Sequence, residues 1–166
     1  MTLIDVAKKD IGKKEKSGNI GFQDPQLEKD MKAVGWAPGW AWCASIQEKW
    51  IWEAFPNLKQ EVNGYFAPSA VATFRNLKNA GYPVSMEPKE GALVFWQRMK
   101  DGHPEWQGHA GIVSKVISPK EFMSIEGNTN SAGSREGDSV QEKTRTVRSD
   151  VQNGLKVIGF VTFPKS

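Results

Sequence analysis

A lone cysteine sits in "GWAPGWAWCASIQEKWIWEAF" (35–55), a stretch that holds five of the chain's seven tryptophans. One thiol cannot close an intramolecular disulfide, nor build a cysteine-rich zinc site. Two readings remain for Cys43: a small buried hydrophobe or a nucleophile. Pro38 and Gly39 favour a turn just ahead of it, and a helix pattern starts near Trp42. Cys43 therefore falls in the first turn of a helix, where unpaired amide N–H groups carry partial positive charge. A thiolate placed there is a better nucleophile than a free cysteine.

A cysteine nucleophile needs a base, and the chain has two histidines. His103 lies in the polar run "KDGHPEW". His109 opens "GHAGIVSKV", between Gly108 and Gly111 and ahead of a β-rich run. A strand would fix the direction of its imidazole, and the flanking glycines would let a substrate backbone come close. His109 is the preferred base. A third group should orient the ring through its other nitrogen. "SIEGNTN" offers Glu126, Asn128 and Asn130 at the end of the next apolar run. Antiparallel pairing of the two runs would bring Glu126 within reach of His109.

The elements that must position these groups follow from spacing. Leu3, Ile4, Ala7 and Ile11 predict a helix over 2–11, stopped by Gly12. Asp24 as cap and Pro25 at the first position predict a second, which ends at Gly35. A third runs from Trp42 to Phe55 and ends at Pro56. It carries the apolar stripe Ala44, Ile46, Trp50, Ile51, Ala54 and Phe55. A fourth covers 67–81, capped by Ser69. The second half changes character: 91–97, 109–117, 121–127, 139–148 and 155–164 read as strands, with loops over 98–108 and 128–138. Helices first and an antiparallel sheet afterwards predict an α+β fold in a single domain over 1–166.

With 166 residues, 39% of them hydrophobic and 25% charged, the chain can bury a core without staples. No apolar run approaches the roughly 20 residues that cross a bilayer, so membrane insertion is not expected. The net charge of +3 is scattered apart from "KKDIGKKEK" (8–16), which reads as a solvated helix end or a weak polyanion contact. No nucleic-acid motif accompanies it. The N-terminus lacks the three-part pattern of a secretory signal, so action outside the cytoplasm would need another delivery route.

Trp-Cys at a helix start, Gly-His-x-Gly-Ile-Val opening a strand and Ile-Glu-Gly-Asn closing the next together resemble the CHAP family. These are cysteine, histidine-dependent amidohydrolases and peptidases of the papain-like, NlpC/P60-related group. "IGKKEKSGN", "MKAVGWAPGWAWCAS" and "EPKEGALVFWQ" extend the resemblance over most of the chain. It implies a papain-like arrangement with the helices packed on the sheet. Cys43 would be the nucleophile, His109 the general base, Glu126 the histidine-orienting group and Asn128 an auxiliary polar group.

The implied substrate is peptidoglycan, cut at the sugar–peptide amide or within the stem peptide or cross-bridge, with no cofactor. Trp40, Trp42, Trp96 and Trp106 are candidates to line the cleft, while Trp50 and Trp52 read as core. With the secretory signal pattern lacking, a phage lysin or a secreted antibacterial effector delivered to the cell wall would fit, an effector together with an inhibitor or immunity protein. Two departures stand out. Gly91-Ala92 replaces the family's usual Asp at the strand entry, and Asp24, Glu28 and Asp30 lack the alternating spacing of a calcium loop, so no metal is expected. The rival readings are a non-catalytic wall-binding module of the same fold, and a papain-like deamidase or transglutaminase acting on a protein.

Overall fold

The computed structural model describes residues 1–129, 139–148 and 150–165, without the side chains of Asn19, Asn128 and Thr129. The helical half comprises α1 (Leu3–Lys8), α2 (Pro25–Ala33), α3 (Cys43–Ala54), α4 (Lys59–Val62) and α5 (Ala70–Asn79). A small ribbon pairs β1 (Glu15–Lys16) with β2 (Gly21–Phe22). The main sheet contains β3 (Val84–Ser85), β4 (Leu93–Lys100), β5 (His103–Ser118), β6 (Glu121–Thr129), β7 (Ser139–Thr146) and β8 (Gly154–Val161). Its order is β3-β8-β4-β5-β6-β7, antiparallel throughout. The fold is α+β, as the sequence predicts.

Three helix starts follow from their caps. Thr2 and Asp5 form a capping box on α1, with the Thr2 hydroxyl accepting from Asp5 N at 3.1 Å and Asp5 accepting from Thr2 N at 3.0 Å. Asp24 accepts from Gln26 N and Leu27 N to start α2, and Ser69 accepts from Ala72 N to start α5. The start of α3 differs: its cap residue is Trp42, whose side chain makes no cap hydrogen bond. That helix is the centre of the molecule, with every residue from Cys43 to Ile51 buried.

The charged run 8–16 is anchored rather than merely solvated. Asp10 is buried and accepts from Lys49 Nζ at 2.8 Å, from Trp50 Nε1 at 2.8 Å and from Lys13 Nζ at 2.7 Å. These contacts tie the end of α1 to α3.

Leu93, Phe95, Ala110, Ile112 and Ile125 turn one sheet face towards the helices. The opposite face closes on a second core of Val94, Trp96, Val113, Phe122, Val157 and Phe160. Phe122 on β6 and Phe160 on β8 lie three strands apart in the sheet, which would separate their backbones by about 14 Å if it were flat. Their ring centroids are 5.2 Å apart. The sheet therefore curls strongly, and this second core fills its concave side.

The expected loop over 98–108 is instead a continuation of the β4–β5 hairpin. Asp101 and Gly102 both take positive φ (50° and 77°), the two-residue turn that matches strand twist. Lys100 then pairs with His103. From residue 130 the expected 128–138 loop lies outside the described residues.

Candidate active site

Cys43 occupies the first position of α3. The N–H groups of Cys43, Ala44 and Ser45 precede the first intrahelical bond, from Ile46 N to Trp42 O at 2.9 Å. With no cap hydrogen bond from the Trp42 side chain, this end of the helix keeps its positive character next to the thiol. Gly127 lets the helix come so close to β6: a Cβ there would lie 2.5 Å from the Trp42 ring and 2.7 Å from Ile46. One turn on, Gln47 Nε2 donates to Gly111 O at 2.8 Å and pins α3 to β5.

His109 and Glu126 both face the concave core. Glu126 lies one residue beyond the Ile112–Ile125 pair, and a Cβ at Gly111 would sit 2.8 Å from its Cγ. The missing side chain lets the carboxylate lean diagonally to His109, and Oε1 meets Nε2 at 2.8 Å. Nδ1 is buried without a hydrogen-bond partner among the described residues, which leaves that nitrogen for the thiol. Trp96 lies against the ring at 5.4 Å between centroids.

The environment is dry, with Cys43 2% and His109 and Glu126 0% exposed. Burial disfavours the imidazolium, but interactions with Cys43 and Glu126 outweigh this and raise the His109 pKa to about 9. Burial also opposes ionisation of Glu126, yet hydrogen bonds from Arg145 and His109 bring its pKa down to about 2. Two neighbours escaped the sequence reading. Arg145 on β7 grips Glu126 with a fork, Nε to Oε2 at 2.8 Å and Nη2 to Oε1, and Ser124 Oγ donates to Oε2. Ser124 could have been found, because it lies two residues before Glu126 on one strand and so shares its face. Arg145 offered only the alternating polarity of an ordinary half-exposed strand.

Several sequence-based expectations need correction. Trp42 is fully buried, edge-on to Phe22 at 5.0 Å, and its Nε1 donates to Glu15 Oε2 at 3.1 Å. Trp96 is buried too, because its position on β4 faces the concave core. Neither ring is free to stack on a substrate. Trp40 (44% exposed) and Trp106 (66%) do reach the surface. The glycines beside His109 make room for the protein's own groups: Gly111 for Glu126, and Gly108 for the Trp96 carbonyl and Val71. His103 stands six residues up β5, about 20 Å from His109 by strand rise, and is exposed. The Asn128 side chain lies outside the described residues. Among the described residues no group of three His, Cys, Asp or Glu side chains is placed to hold a metal ion.

Residues 32–128, more than half of the chain, match the CHAP domain family. The chain belongs to the CHAP family. That places it among cysteine, histidine-dependent hydrolases of the amidase and peptidase type. The CHAP match contains Cys43, His109 and Glu126, and it stops before Arg145. No curated protein matches the chain. Among the described residues no helix is long and apolar enough to cross a membrane.

Proposed function

We propose that this chain is a cysteine-dependent peptidoglycan hydrolase, acting as an N-acetylmuramoyl-L-alanine amidase or as an endopeptidase on the stem peptide or cross-bridge. The observation that supports it best is the buried imidazole of His109, hydrogen-bonded to Glu126 through Nε2 and influenced by the Cys43 thiol. In this reading Cys43 gives its proton to His109 Nδ1 and attacks the amide carbonyl as a thiolate. The backbone N–H of Cys43, at the uncapped start of α3, donates to the oxyanion. The imidazolium protonates the leaving amine, and a thioester forms. His109 then takes a proton from water as the water attacks that thioester, and the acid leaves with Cys43 free again. Trp40 and Trp106 flank the substrate, and the enzyme works at the bacterial wall as a phage lysin or delivered effector.

The test is mass spectrometry of muropeptides from purified sacculi treated with the protein and with Cys43→Ala. New amine and carboxyl termini, absent with the variant, are the expected result and identify the bond. An unaltered profile refutes the reading and leaves the wall-binding module or the protein-directed deamidase and transglutaminase chemistries.

A further inference from the structure

Arg145 holds the group that orients the proposed base. Its fork takes both oxygens of Glu126, and its guanidinium lies 5.1 Å above the Trp96 ring, the same ring that packs against His109. Glu126 thus accepts from His109, twice from Arg145 and once from Ser124, which uses both oxygens. Among the described residues, the charges facing this cluster come from three elements. Cys43 belongs to α3 and His109 to β5; from β7 come Arg145 and Lys143, the latter opposite Ser124 in register and influenced by both Glu126 and Arg145.

A carboxylate bonded in a fork by a guanidinium is close to a neutral pair seen from a third group. His109 therefore meets a firmly oriented acceptor with much of its charge offset. The Cys43 side chain, which also acts on His109, becomes a second counter-charge when it ionises, the state a cysteine nucleophile needs. We propose that Arg145 is a positioning residue of the Cys43–His109 site, which fixes Glu126 by its fork and offsets part of its charge, so that an ionised Cys43 shares in balancing the imidazolium. This rests on the hydrolase reading only for its effect on turnover; its effect on His109 is independent of substrate.

The chain's two histidines make the test direct, since a spectrum of 15N-labelled imidazoles contains two rings. Arg145→Met keeps an unbranched, largely apolar stem and removes the guanidinium with its charge. It is expected to raise the His109 midpoint by about one pH unit and to lower kcat on sacculi by about 10- to 100-fold. Arg145→Lys keeps the charge and loses the fork: the midpoint stays within about 0.3 of wild type, while kcat falls at little-changed KM. If Arg145→Met does not fold, Arg145→Gln serves as the neutral variant. A lowered kcat with an unmoved midpoint in the neutral variant would show a merely structural role and overturn the proposal. So would full activity in Arg145→Lys, which would remove the fork from the argument. If the His109 shifts appear but sacculi are never cut, the substrate reading fails and the role of Arg145 at His109 stands.

Discussion

Glu126→Gln keeps the shape of a side chain that is fully buried and removes its charge. Three groups donate four hydrogen bonds to the carboxylate, two of them from a guanidinium. Burial opposes ionisation, but Arg145 and His109 outweigh it and hold the pKa at about 2 against an ordinary 4.5. At about 1.4 kcal/mol for each tenfold change, this amounts to about 3 kcal/mol of stability at pH 7. A folded-state pKa below the unfolded value gives stability that is fully present above pH 4.5 and lost as pH falls towards 2. About 1 kcal/mol should remain at pH 3. For a chain of this length 3 kcal/mol corresponds to a midpoint lower by about 6 to 12 °C.

Thermal unfolding followed by tryptophan fluorescence, wild type beside Glu126→Gln, measures this at pH 7 and at pH 3. The gap should be large at neutral pH and shrink to about a third in acid. Asp10, Asp24 and Glu28 also have lowered pKa values, so wild type alone will lose stability in acid; the difference between the two proteins isolates Glu126. A gap under about 2 °C at pH 7, or one that stays constant between the two pH values, would falsify the assignment of Glu126 as a buried, strongly held carboxylate.

Further expectations concern the rest of the site. His109→Ala should lower hydrolysis by about 10²- to 10⁴-fold, whereas His103→Ala should leave it unchanged, read by turbidity loss of sacculi. Because the His109 pKa is raised to about 9, its stabilising interactions are complete below pH 6.5 and fade as pH rises through 9. The alkaline limb of kcat/KM should accordingly fall near pH 9. Trp42→Ala should cost about 3 to 5 kcal/mol in urea unfolding, while Trp106→Ala should leave stability within about 0.5 kcal/mol and raise KM.

Cys43, His109 and Glu126 are legible as candidates because each sits at an element boundary that short-range signals mark. Pro38 and Gly39 mark the start of α3, the run "GHAGIV" opens the buried part of β5, and "SIEG" closes an apolar strand. What the sequence hid depends on curvature. Nothing in the alternation of β4 says that Trp96 faces a closed concave interior, because a flat sheet with the same pattern would leave that face to solvent or substrate. Trp42 hid for a related reason: its ring turns inward against Gly127 and Phe22, contacts of long range in sequence. Arg145 needs both the curl and the β6–β7 register to meet Glu126. The hairpin is different, since Asp101-Gly102 is a strong local turn signal set in a polar run that reads as loop.

The curl also explains how two separate cores yield one site. Cys43 belongs to the helix core, while His109, Glu126, Ser124 and Arg145 line the concave side of the sheet. A thiol and an imidazole on opposite sides of a sheet meet only at a place where one element passes close to the other. The start of α3 is that place, held by the Gln47 bond to Gly111 O and by the contact of Trp42 and Ile46 with Gly127. Displacement of a reacting group by about 1 Å can cost about 10²-fold in rate, so these contacts bear on chemistry without touching substrate. Gly111 serves twice, since its carbonyl anchors the helix and its absent side chain admits Glu126. The separation of thiol and imidazole is thus set by backbone and packing, and their charge by the carboxylate–guanidinium pair behind them.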